Sequence, residues 1–171
     1  MAMKFLSFRP CKEAEGIYDL RFTIYDLRTL PRPACGIPHY ETMKRQLTIT
    51  SECIHESALL SQRRMSPGMG AAVYFAGVVR NVEEGKAISA IEYEAFQRMV
   101  EHQFGLIFQE MEKRWPIESV RLIHRTGLVE VNEPSLWVEV VAPHRSEAFA
   151  GCQYLIDEMK RTVPIWKKPI V

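Results

Sequence analysis

The chain has 171 residues, 47% of them hydrophobic and 25% charged, with a formal net charge of +1. That length and apolar content suit one globular domain with a proper core. The near-neutral charge argues against a general nucleic-acid binder, which would show a basic excess or stripe. The basic residues that matter are local: Lys160, Arg161, Lys167 and Lys168 come with no acid from residue 160 onward, a pattern for a small anion. Four cysteines, Cys11, Cys35, Cys53 and Cys152, form no C-x-x-C pair and the histidines are scattered, so no metal site is expected. No run approaches the roughly 20 apolar residues of a membrane span, and no signal-peptide core opens the chain, which points to a reducing, cytoplasmic home with free thiols.

Residues 1–46 read as an N-terminal extension of unknown role. They hold a tandem echo, Ile17-Tyr18-Asp19-Leu20-Arg21 and Ile24-Tyr25-Asp26-Leu27-Arg28, too short for a repeat fold, and a Pro-rich linker from Leu30 to Pro38. A regular domain is expected over 47–171. Leu47 to Ile54 predicts a strand, His55 to Met65 a helix, and Ser66-Pro67-Gly68 a turn. Gly70 to Val79 is apolar throughout, as for a strand buried on both faces, and it delivers Arg80 and Asn81 at its end. Glu83-Glu84-Gly85-Lys86 has hairpin chemistry, and Ile88 to Ala95 alternates as a return strand.

Val100, Phe104, Ile107, Phe108, Met111 and Trp115 recur at helical spacing ahead of Pro116 and form a core stripe. Strands are then expected at Val120–His124, Leu128–Val131 and Leu136–Val141, with His124-Arg125 in a structural role. Ser146 offers an N-cap for a last helix whose apolar stripe is Phe149, Cys152, Ile156 and then Lys160. A lysine at a stripe position either snorkels to water or, desolvated beside Lys167, has a depressed pKa and serves as nucleophile or base. Pro164 stops the helix and passes the chain into a segment carrying Trp166, Lys167 and Lys168. At the other end of the helix, His144 and Arg145 either serve the fold, Arg145 pairing with a nearby acid and His144 capping a carbonyl, or join the N-terminal N–H groups in a second anion site. Strands and helices in this order predict an α+β fold with a mixed, mainly antiparallel sheet packed against helices.

The run GAAVYFAGVVRN, the segment IEYEAF, the string WPIESVRLIHRTGLV and above all VVAPHRSEAFAGCQYLIDEMKRTVPIWKK resemble the large, catalytic subunit of molybdopterin synthase, the MoaE family. The resemblance spans about residues 47 to 168 and implies that family's hammerhead-like α+β fold. It implies a sulfurtransferase of molybdenum cofactor biosynthesis that needs no cofactor. Sulfur would pass from the C-terminal Gly-Gly thiocarboxylate of a small ubiquitin-like carrier to cyclic pyranopterin monophosphate, precursor Z, forming the molybdopterin dithiolene. The implied assembly is a homodimer within a heterotetramer. By position, Lys160 and Lys167 match the catalytic lysines, and Val78, Val79, Arg80, His144, Arg145 and Lys168 match substrate-binding positions. All five cations, Arg80, His144, Arg145, Lys160 and Lys167, are expected to share one water-poor cavity.

Family members usually continue past the W-K-K segment with an acidic residue and a tail, where this chain has Pro169-Ile170-Val171; either weaker substrate binding or an open pocket edge is expected in consequence. Two other readings remain at this stage. One is a non-catalytic dimeric scaffold that binds the small carrier subunit, and the other is a nucleotide-phosphate binding module.

Overall fold

The computed structural model describes residues 42–171. The tandem echo, the Pro-rich linker, Cys11 and Cys35 lie outside the described residues. The first strand, β1 (Lys44–Thr50), starts three residues ahead of the expected Leu47, and Met43 before it is already buried in the core. Its register explains this: β1 runs parallel to β6 (Ser119–Arg125), with Lys44 opposite Ser119 and Thr50 opposite Arg125. Lys44 and Arg45 also reach acids, Glu118 and Glu112, which anchor the strand's beginning. A strand start built from polar residues carries no hydrophobic signal.

The short helix α1 (Glu56–Ser61) is less than the predicted His55–Met65. None of its residues is buried, so no tertiary packing extends it against the cost of helix nucleation. Next, β2 (Ala71–Val78) pairs antiparallel with β8 (Pro134–Ala142), and β8 pairs antiparallel with β6, giving a sheet of order β1-β6-β8-β2. The strand buried on both faces is therefore β8, which lies inside the sheet. By contrast, β2 is an edge strand of intermediate burial, with Tyr74 and Val78 exposed.

The predicted hairpin is present as β3 (Val82–Glu83) and β4 (Lys86–Ala87). Its two turn residues, Glu84 and Gly85, have φ of 50° and 77°, the left-handed pair that tight hairpin turns need. A second sheet sets β5 (Ala90–Ala95) between β7 (Gly127–Glu130) and β9 (Ile165–Ile170), all antiparallel. One parallel pair among antiparallel ones confirms the expected α+β class.

Two 18-residue helices cover the larger sheet: α2 (Gln97–Arg114) and α3 (Arg145–Thr162). The stripe predicted on α2 is correct, with Val100, Phe104, Ile107, Phe108 and Met111 all buried. On α3 the stripe is displaced. The buried residues are Ala148, Gly151, Cys152, Leu155 and Met159, while Phe149 is 63% exposed. The approach is close at Gly151: a Cβ there would lie 2.6 Å from Ile117 Cδ1, so a larger residue would require the end of the Ile117 side chain to shift. Small residues define this contact, and a reading weighted towards large apolar side chains picks the wrong stripe. Burial pushes the Cys152 thiol up to about 11, so it stays protonated.

Candidate functional site

The predicted site residues come from three places in this fold. Arg80 follows β2, whose last residue is the exposed Val78. Val79 between them is buried, held by its N–H donating to the Glu133 carbonyl at 3.0 Å and its own carbonyl accepting from Asn132 N–H at 2.9 Å. This clamp on both sides of Val79 fixes the point from which Arg80 leaves the sheet. Lys167 and Lys168 stand on β9, opposite Tyr93 and Glu92 of β5. The segment after Pro164 is thus an ordered strand, and alternation sends successive lysines to opposite faces.

Arg80 and Lys167 meet through an acid that the motifs did not single out. Glu83, on β3, accepts a hydrogen bond from Lys167 Nζ through Oε1 and takes Arg80 Nη2 at 3.5 Å through Oε2. The Lys167 ammonium, ahead of other influences, holds the Glu83 carboxyl below its usual range. In this cluster the carboxylate is the inner member, 11% exposed, and the cations are outer, Lys167 53% and Arg80 78% exposed. Lys168 turns away to Glu92, 3.7 Å distant. The signal for Glu83 was present in the sequence as an acid three residues beyond Arg80, but it read as turn composition.

The remaining cations lie elsewhere in the chain. Helix α3 starts earlier than expected: His144, not Ser146, is the N-cap residue, in extended conformation and without a side-chain cap bond. Ser146 instead donates its hydroxyl to Glu147 at 2.7 Å. His144 and Arg145 are both exposed. Their position is fixed from behind, because Gly70 N–H donates to the Pro143 carbonyl at 3.1 Å and a Cβ on Gly70 would meet that oxygen at 2.8 Å.

Lys160 lies in the last turn of α3, is exposed, and makes no ion pair among the described residues. The expectation of a desolvated Lys160 is therefore corrected: Met159, one position earlier, takes the buried place. From Arg145 to Lys160 the helix rises about 22 Å at ~1.5 Å per residue. Within one chain, then, the structure brings Arg80 to Lys167 and separates His144 and Arg145 from Lys160. The expected single cavity holding all five is not formed by this chain alone.

His124 and Arg125 are buried, as expected of structural residues. Arg125 Nη1 reaches Glu133 at 2.7 Å, and the His124 ring packs edge-on to Tyr93, the β9-facing partner of Lys167. A cavity of about 380 Å³ lies across β1 and β6, lined by Lys44, Arg45, Arg64, Arg121 and Glu139 among others. It contains none of the predicted site residues, and most of its cations are already paired with acids. Among the described residues, no group of His, Cys, Asp and Glu is arranged to hold a metal ion, and no helix is long and apolar enough to cross a membrane.

The class of protein this defines is an α+β protein whose strand ends and helix ends display separate basic groups suited to anions. The MoaE protein family model matches residues 49–162, and the chain belongs to that family. The molybdopterin synthase catalytic subunit of Thermoplasma volcanium is 40% identical over 123 residues, 72% of this chain and 89% of that one. The molybdopterin synthase catalytic subunit of Homo sapiens is 37% identical over 130 residues, 76% of this chain and 69% of that one. Among solved structures, molybdopterin synthase from Staphylococcus aureus superposes with a TM-score of 0.63 at 29% identity, covering 77% of this chain and 93% of that one. The family expected from the motifs is the family found.

Proposed function

We propose that the chain is the catalytic subunit of a molybdopterin synthase, a cytoplasmic sulfurtransferase that converts precursor Z to the molybdopterin dithiolene in molybdenum cofactor biosynthesis. The observation that carries this reading is the family match over residues 49–162, a range that includes Arg80, His144, Arg145 and Lys160. The relatives' designation as catalytic subunits supports assembly with a second, small subunit. That subunit is the ubiquitin-like carrier of the thiocarboxylate.

In this reading Arg80 and Lys167 hold the anionic part of the substrate, and their charge opposes the negative charge that develops during acyl transfer. Lys160 is the reactive amine, as nucleophile at the acyl carbon or as base. In either role it must be neutral when it acts. His144 and Arg145 add donors at the positive end of α3, suited to a phosphate. Because the helix keeps them about 22 Å from Lys160, a complete site requires a second copy of the chain. The homodimer within a heterotetramer meets that requirement.

The test supplies purified protein with the thiocarboxylated partner and precursor Z. Formation of dithiolene product supports the enzyme. Partner binding without product is the result of a scaffold and overturns it.

A further inference from the structure

Glu83 has no role in the reading above, yet it is the group that makes Arg80 and Lys167 neighbours. Lys167 stands on β9, whereas Arg80 follows the end of β2 outside any strand, and the two would repel each other at close range. Both side chains are long, mostly exposed and rich in rotamers, so left alone they would sample many separated positions. The β3–β4 hairpin turns through two left-handed residues, which fixes Glu83 in the strand before the turn. From there one carboxylate oxygen takes Lys167 and the other faces Arg80.

The carboxylate occupies only part of each cation's donor set. An ammonium has three N–H donors and a guanidinium five. With Glu83 on the inside and the cations on the outside, the remaining donors are left towards solvent at one place.

We infer that Glu83 is a positioning residue, which holds Arg80 and Lys167 together as a two-pronged receptor for a tetrahedral oxyanion. The inference rests on the reading in which these two residues hold the anionic part of the substrate. It adds a residue that touches the cations and not the ligand. It also reverses the simple electrostatic expectation, because deleting a negative charge beside an anion site ought to tighten anion binding. Loss of pre-organisation outweighs that gain here.

The experiment measures sulfate binding by calorimetry at constant ionic strength, using the whole chain and no turnover. Glu83→Gln is expected to weaken sulfate binding about fivefold, the scale of an ion pair near the surface. Glu83→Asp, which keeps the charge on a shorter arm, recovers part of the loss. Glu84→Gln removes a charge from the same hairpin without touching Lys167, and is expected to leave binding unchanged or slightly tighter. In a double-mutant cycle, Lys167→Ala costs less in the Glu83→Gln background than in the native chain.

Equal or tighter sulfate binding by Glu83→Gln overturns the inference, as does strict additivity with Lys167→Ala. Because sulfate needs no chemistry, these results stand whether or not dithiolene is formed. A chain that binds sulfate as described but makes no product would sink the enzymatic reading and leave this one intact. In the active enzyme the same variant raises KM for precursor Z by about fivefold with kcat little changed, the pattern of lost ligand binding.

Discussion

Arg121 on β6 and Glu139 on β8 are directly opposite in register, and Arg121 Nε donates to Glu139 Oε1 at 2.7 Å. The pair places two charges midway along their strands. Glu139 is only 2% exposed, and Arg121 also donates through Nη2 to the Leu59 carbonyl at 2.8 Å, which ties α1 to the sheet. Its guanidinium lies 5.0 Å from the centre of the Trp137 ring. Removing the arginine alone strands a buried carboxylate. Arg121→Ala is therefore expected to cost about 3–5 kcal/mol, whereas a paired Arg121→Met, Glu139→Leu replacement costs far less. Urea unfolding of the three proteins measures the difference, and equal losses would contradict it.

His124 gives the fold a pH dependence. Burial, the dominant cause, holds its imidazole below the usual value, against the opposing effect of the Arg125 carbonyl, which accepts from Nδ1 at 2.7 Å. The unfolded chain then binds a proton near pH 6.5 that the folded chain refuses, so stability is fully present above that pH and is lost as pH falls below it. The expected result is a lower urea midpoint at pH 5.5 than at pH 7.5, with that part of the fall absent in His124→Leu. An unchanged pH slope in the variant would assign the fall to other groups.

The separation of Arg145 from Lys160 leads to a complementation test. Lys160→Ala and Arg145→Ala are each expected to reduce sulfur transfer by at least ~100-fold while leaving the proposed dimer intact. If one copy lends its helix start to the other's lysines, mixed dimers of the two variants carry one intact site. Random mixing then recovers roughly a quarter of native activity. No recovery on mixing, with mixed dimers demonstrably present, would require each chain to complete its own site.

How legible the molecule was in its sequence depended on the residues that carried each signal. The α2 stripe was plain because five large apolar side chains repeat at helical spacing and all five are buried. The α3 stripe misled because its true face is built from Ala148, Gly151, Cys152, Leu155 and Met159, and a small residue can mark a tight contact as surely as a large one. The beginning of β1 was missed because Lys44 and Arg45 are held by acids and strand pairing, forces with no periodic trace. Within the candidate site, Arg80 and Lys167 were named from motif positions, but Glu83 was not, since a glutamate beside a glycine turn reads as solvent-exposed hairpin.

Local order in the chain was enough to determine the succession of strands and helices, the turn at Glu84-Gly85, the end of α3 before Pro164, and membership of a family through its motifs. These depend on propensity, steric restriction and spacing among near neighbours, all of which a linear string contains. Only the tertiary structure decided which face of α3 is buried, that Glu83 joins a cation on β9 to one just past the end of β2, and that His144 and Lys160 stand at opposite ends of one rigid helix. Those outcomes turn on packing and on pairings as far apart as 84 residues, where the register of one strand against another, and not the residues beside a side chain, sets what it meets.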